Sequence, residues 1–199
     1  MPPESSPFAS LIPGGYAVIE ADPPWNYKVF SKKGEARSAE AHYATMSLDD
    51  ICALPVAQLA TKDCHLFLWG TRACLPHALR VMSAWGFEFS SMAFVWIKLN
   101  RKAPLLFLDK RSFFMGMGHT TRANAEYVLL GRRGSPKRLR KDVRELVIAP
   151  VREHSRKPDE VYDRIEQYAS GPYLRLFARE QRAGWTSWGN ETTKFEAVA

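Results

Sequence analysis

Asp22 closes an apolar run and is followed by Pro23, Pro24 and Trp25; residues 16–27 read YAVIEADPPWNY. The prolines explain why a strand would stop there, since neither offers an N–H to a ladder and each holds φ near −65°. They do not explain an acid and an aromatic ring on either side. Asp22 brings carboxylate acceptors, a proline carbonyl is an acceptor held by a rigid ring, and Trp25 and Tyr27 bring flat faces. Such a cluster suits a planar ring bearing an exocyclic amine, the shape of adenine. An aromatic amine is a poor nucleophile because its lone pair is delocalised. Acceptors on its N–H bonds return density to nitrogen and stabilise the charge that develops on attack. No strong base is needed, because the proton becomes acidic only afterwards. Taken alone, four residues fit a plain strand-ending turn equally well.

The elements that must position this cluster alternate along the chain. Residues 16–21 read as a buried strand. Ser47 with Asp50 forms a capping box that starts a helix, which Pro55 divides or ends. Residues 64–69 (CHLFLW) are too short and too apolar for a surface helix and read as a central strand. Thr71 can cap the next helix, whose apolar face would carry Leu75, Ala78, Leu79, Met82 and Trp85 before a stop at Gly86. Residues 87–99 read as one long strand or two short ones. Residues 100–121 show no period and read as a long functional loop. Strands are expected at 125–130, 145–149 and 173–178. A helix opened by Pro158, Asp159 and Glu160 would bury Val161, Ile165 and Tyr168. This alternation predicts a three-layer α/β domain with a mostly parallel sheet. Ligands bind beyond the carboxyl ends of strands in such sheets, which is where Asp22 would sit. A core over about residues 11–191 is expected, with loose ends at 1–10 and 192–199.

The 199 residues suffice for one domain. No apolar run approaches the ~20 residues of a membrane helix, and MPPESSPFAS lacks the pattern of a signal peptide, so a cytoplasmic location is expected. Cys52, Cys64 and Cys74 show no paired spacing, and His42, His65, His119 and His154 form no metal pattern with any acid; no metal is assigned. The net charge is +7, and residues 132–145 (RRGSPKRLRKDVRE) hold seven cations against two acids. That excess suits a polyanionic partner as well as it suits a solvated loop.

Beyond ADPPWNY, the chain carries YATMS (43–47), LFLWG (66–70), VWIK (95–98), HSRKPDEVYDRIE (154–166), LFARE (176–180) and GWTSWGNE (184–191) in one order. Over roughly residues 14–191 it resembles the adenine-N6 methyltransferases related to the catalytic subunit of the eukaryotic messenger-RNA adenosine methyltransferase, most of all their short bacterial and phage members. The resemblance implies a Rossmann-like fold, S-adenosylmethionine as methyl donor, and a circularly permuted order with the catalytic motif first and the cofactor-binding half last.

It also implies roles. Asp22 and the Pro23 carbonyl would bind the target amine, Pro24 would fix the turn, and Trp25 would wall the pocket. Asp22 would also lie near the amino-acid end of the cofactor, Lys157 would contact the cofactor carboxylate, and Arg179 and Asn190 would hold its ribose with Glu191 alongside. Tyr43 and Lys98 would line the target pocket, helped by Arg122 and Asn124 from the divergent stretch GMGHTTRANAE (116–126). Arg138, Arg140 and Lys141 would hold the nucleic-acid backbone, and Trp25 or Tyr43 would cap an adenine extruded from a duplex. Two departures stand out. No G-x-G-x-x-G follows the cofactor strand, and Gln181 and Arg182 replace a histidine and an asparagine of the messenger-RNA enzyme. DNA is the expected polymer and RNA the alternative, with a homodimer or partner subunit sharing target recognition. A catalytically silent nucleic-acid-binding subunit, or amino methylation of cytosine, are the competing readings; the intact Asp22–Trp25 motif argues against both.

Overall fold

The computed structural model describes residues 6–26, 45–116, 120–153 and 155–195. In chain order the elements are β1 (Tyr16–Ala21), α1 (Leu48–Ala53), β2 (Ala60–Gly70), α2 (Leu75–Ala84), β3 (Glu88–Leu99), β4 (Ala125–Arg133), β5 (Leu146–Pro150), α3 (Asp159–Tyr168), β6 (Tyr173–Leu176) and β7 (Trp185–Trp188). The strands form one sheet in the order β5-β3-β4-β2-β1-β6-β7. Only β4 runs against its neighbours; the other pairings are parallel. The expected three-layer α/β architecture is thus present.

Alternation along the strands builds two apolar faces. Ile19, Leu66, Leu68, Leu129, Leu174 and Leu176 point to the side covered by α1 and α2, where Ile51, Ala78, Val81, Met82 and Trp85 meet them. Val18, Phe67, Trp69, Val128 and Val147 point the other way, onto Val161, Tyr162 and Ile165 of α3. Strands buried on both faces read as continuous apolar runs, which is why CHLFLW looked central.

Most local expectations are met. Ser47 Oγ accepts the Asp50 N–H at 3.1 Å and starts α1, which stops before Pro55. Gly86 takes φ +77° at the end of α2, and Pro158 is the N-cap of α3. Four details differ. The Thr71 side chain caps nothing; its carbonyl accepts the Cys74 N–H and opens a 3-10 turn ahead of α2. Leu79 is exposed and Val81 is buried, so the buried stripe of α2 runs through Ala78, Val81, Met82 and Trp85. The last large strand ends at Leu176, where Phe177 turns into the left-handed region at φ +60°. Finally, the residues just before β1 are pinned. Phe8 is buried edge-on against Trp188 at 4.8 Å, and Trp188 Nε1 donates to the Pro7 carbonyl at 3.0 Å.

The directions of the strands decide where chemistry can occur. β1 leads to β2 on one side, while its other neighbour β6 leads outward to β7. The chain therefore leaves the β1 and β6 ends in opposite directions, which opens a crevice of the kind that binds ligands in doubly wound sheets.

Candidate active site

Asp22 follows β1 directly, at one lip of that crevice; its N–H points to the Leu176 carbonyl of β6 at 3.5 Å. Trp69 near the end of β2, Lys98 near the end of β3 and Lys157 ahead of α3 come to the same end of the sheet. Glu126 joins them because β4 is antiparallel, so its start lies where the other strands finish.

These side chains form a charge relay. Lys157 Nζ lies 3.1 Å from Asp22 Oδ2 and 2.9 Å from Glu126 Oε2. Lys98 Nζ holds the other oxygen of Glu126 at 2.5 Å. Both ammoniums rest on indole faces, Lys157 4.7 Å from the Trp69 ring and Lys98 4.8 Å from the Trp96 ring. Burial would raise the Glu126 pKa, but Lys157 and then Lys98 more than reverse this and lower it to about 2. Burial likewise opposes the charge on Lys157, and Asp22 and Glu126 overcome it and raise its pKa. An ammonium carries three donors, and the two carboxylates account for two of them. Lys157 is only 7% exposed, so its first task in this fold is to orient Asp22.

The Asp-Pro-Pro-Trp turn is built more tightly than the motif suggests. The Trp25 N–H donates to the Pro23 carbonyl at 2.8 Å, closing a three-residue turn around Pro24, and the Pro24 carbonyl accepts the Met46 N–H at 3.0 Å. A carbonyl has a second lone pair, so Pro23 remains able to take a target N–H. This turn drops the Trp25 indole into the α1/α2 side of the core, 6% exposed, with Nε1 donating to the Trp69 carbonyl at 3.2 Å. Trp25 therefore fixes the turn and is not placed to cap an extruded base. Tyr43, the other residue expected there, lies outside the described residues.

Across the crevice, the loop after β6 is locked to the loop after β7. Arg179 Nη1 pairs with Glu191 Oε2 at 3.1 Å, and Glu191 also holds Lys194 at 2.6 Å. Asn190 stands exposed beside this pair. Gly189 packs so closely that a Cβ would sit 2.5 Å from the Ala178 carbonyl oxygen. Phe177, against Trp188 at 5.6 Å, makes the left-handed turn that a glycine would make without strain. Arg182 serves α3, pairing with Glu166 at 2.8 Å and Asp163 at 2.6 Å, which explains why it does not match a ribose-binding asparagine. Arg179, Asn190 and Glu191 border the same crevice as Asp22, and these donors and acceptors fit a ribose and an amino-acid group.

Arg122 and Asn124 lie exposed on the chain entering β4, and the Asn124 carbonyl accepts the Lys98 N–H at 2.8 Å. The basic segment is elsewhere. It follows the far end of β4, where Cys64 pairs with Arg133 at the start of β2. Arg138, Arg140 and Lys141 are exposed there, with Arg140 engaged by Asp142 at 2.6 Å. The seven steps of β4 from Glu126 to Arg133 span roughly 20 Å. These three cations therefore do not border the crevice. The reason is topological, since one antiparallel strand reverses which end its following loop occupies.

One functional residue escaped the sequence reading. Glu126 joins Lys98 to Lys157, from 28 and 31 residues away respectively. Its signal was an acid at the start of an otherwise apolar strand, at the end of the divergent stretch 116–126. A second buried pair lies behind Asp22: Arg175 Nε sits 3.3 Å from Glu20 Oε2, and Arg175 also donates to Tyr162 Oη at 2.5 Å. Burial pushes the Glu20 carboxyl up to about 7 in spite of Arg175. Among the described residues no cluster of His, Cys, Asp and Glu could hold a metal ion, and no helix is long and apolar enough to cross a membrane.

Comparison with known proteins places these features in a wider group. A family model described as MT-A70 matches residues 16–191. The chain is 30% identical to the type II methyltransferase M.MunI of Mycoplasma sp, over 92% of this chain and 81% of that protein. It is 32% identical to an N(6)-adenosine-methyltransferase MT-A70-like protein of Arabidopsis thaliana, covering 92% of this chain and 25% of that one. It is 28% identical to the N(6)-adenosine-methyltransferase catalytic subunit METTL3 of Homo sapiens, covering 90% of this chain and 29% of that protein. The chain thus spans only a minor part of the eukaryotic relatives' length.

Proposed function

The chain belongs to the MT-A70 family of adenine-N6 methyltransferases, and from that premise we propose that it transfers a methyl group to N6 of adenine in DNA. The observation that carries this reading is the Asp22 carboxylate, fixed by Lys157 at the mouth of the β1/β6 crevice. S-adenosylmethionine, the methyl donor of this family, supplies an electrophilic methyl on a sulfonium when bound there.

The chain's own groups do the rest. Arg179, Asn190 and Glu191 border the ribose side of the crevice. Asp22 and Lys157 face its amino-acid end. Lys157 engages Oδ2 of Asp22, so the target amine takes Oδ1 for one N–H and the second lone pair of the Pro23 carbonyl for the other. Acceptors on both N–H bonds favour pyramidal nitrogen and stabilise its developing positive charge. With S-adenosylmethionine bound, the N–C bond would form as the sulfonium S–C bond broke, and Asp22 would pass the surplus proton to water. Holding both partners in line supplies the proximity that the reaction lacks in solution.

The choice of polymer rests on coverage. One relative, matched along 81% of its own length, is a bacterial type II methyltransferase. The relatives named for adenosine, a ribonucleoside, are matched over a minor part of theirs. Those names support RNA as the second reading. The experiment is methyl transfer from labelled S-adenosylmethionine to single- and double-stranded DNA and RNA, with products digested to nucleosides and identified by mass. N6-methyldeoxyadenosine is the expected product. The ribonucleoside alone would change the polymer, and a methylated cytidine would overturn the reading.

A further inference from the structure

The loop between β3 and β4 is built as a projection. Its neck is closed by a bridge between Leu99 and Phe113, and the Asn100 N–H donates to the Ser112 carbonyl at 2.8 Å. The Asn100 side-chain amide then ties down the Arg111 carbonyl at 2.8 Å. Asp109 is exposed and closes the turn, accepting from the Arg111 N–H at 2.9 Å and the Ser112 N–H at 3.0 Å. The tip is what such a clamp holds up. Leu105 is 66% exposed, Leu106 88% and Phe107 82%, and Leu108 is exposed beside them. Consecutive large apolar side chains in water are costly, and a patch of this kind marks a contact surface.

Two further observations say what the surface meets. Arg101 and Lys102 precede the tip and Lys110 and Arg111 follow it, all four exposed. Four exposed cations bracketing four apolar residues match a polyanion with an apolar interior. A stacked nucleic-acid duplex has that construction. The loop also rises from the active-site end of the sheet. Its neck continues into the target pocket, since the Phe114 N–H donates to the Lys98 carbonyl at 2.9 Å and Lys98 is one end of the relay to Asp22.

We propose that residues 105–108 form a wedge that enters the base stack of duplex DNA beside the target adenine, while the four bracketing cations hold the backbone. This rests on the reading of the chain as an adenine methyltransferase. Apolar wedges pry base steps apart, and extrusion of the base is what chemistry on N6 inside a duplex requires. The wedge supplies the push that buried Trp25 cannot. Single strands need no such push.

The test uses the full chain carrying the double change Leu106→Ser and Phe107→Ser, with plasmid DNA in native and heat-denatured form as substrates. The variant is expected to lose about tenfold or more in methyl transfer to the native duplex and less than twofold on the denatured strand. A second readout needs no chemistry. Wedge insertion unwinds the helix, so plasmid relaxed by a topoisomerase in the presence of the native protein, or of Asp22→Ala, should carry a changed linking number that the loop variant does not produce. Equal losses on both substrates, or no loss on either, would overturn the wedge. So would native protein that methylates duplex without unwinding it. A loop variant that changes only the oligomeric state, leaving the duplex-to-strand ratio intact, would overturn it in favour of a protein contact. Unwinding without methyl transfer by the native protein would instead sink the catalytic reading and leave the wedge standing.

Discussion

Lys157 Nζ lies 3.1 Å from Asp22 Oδ2 and 2.9 Å from Glu126 Oε2, so the carboxylate at the catalytic turn is aimed by a buried cation that is itself aimed by a buried anion. If Lys157 served only to grip the cofactor, removing it would weaken binding and leave the saturated rate alone. The relay predicts otherwise. Lys157→Met should lower kcat by about 100-fold even at saturating cofactor. Single-turnover transfer, set beside equilibrium binding of the cofactor, separates the two roles.

Glu126 ties the relay together, and its pKa makes a prediction about pH. Its folded pKa is depressed to about 2 from 4.5. The stability this confers is therefore present above pH 4.5 and is lost as pH falls from 4.5 towards 2. The amount is on the order of 3 kcal/mol. Glu126→Gln should be destabilised by about that much at neutral pH, with the difference from the native protein vanishing towards pH 2. Urea denaturation at a series of pH values measures it.

Glu20 behaves in the opposite sense. Burial raises its folded pKa from 4.5 to about 7 although Arg175 stands 3.3 Å away. Both states are protonated below pH 4.5. Between 4.5 and 7 the unfolded chain sheds a proton that the folded one keeps, so stability falls across that window. The native protein should lose on the order of 3 kcal/mol there from this group. Glu20→Gln should show a flatter profile over the same range. A profile as steep as the native one would mean that Arg175 already holds Glu20 ionised.

Neutralising Arg138, Arg140 and Lys141 should leave methyl transfer to short oligonucleotides unchanged. The segment lies at the far end of β4, roughly 20 Å from Glu126. On long duplexes the same triple change should flatten the salt dependence of binding by up to about 2.7 in slope if all three cations meet phosphates, and by less where Arg140 stays with Asp142. An unchanged slope on long DNA would make the segment a solvated loop.

Much of this was legible in the chain because the signals are local. Ser47 with Asp50, Gly86 at positive φ, and Pro23 with Pro24 each fix a few neighbouring residues, and each does what its chemistry dictates. What stayed hidden depends on distant partners or on direction. The basic segment announces its charge but not its place, which is set by β4 running against the sheet. Glu126 looked like any strand-border acid until the fold brought Lys98 and Lys157 to it. Trp25 reads as free to stack because nothing in sequence shows that the turn closed by the Pro23 carbonyl sends its ring inward. Residues 1–10 read as a loose end, yet Pro7 and Phe8 are held by Trp188 from the other end of the chain.

The most direct test of the central claim is the Asp22→Asn variant, measured for cofactor binding and for N6-methyldeoxyadenosine formed on digested DNA. Asparagine keeps the size of the side chain and removes the charge that meets the reacting amine. The account predicts a folded protein that still binds S-adenosylmethionine and has lost at least about 100-fold in product formed. Native levels of N6-methyldeoxyadenosine from Asp22→Asn would contradict it.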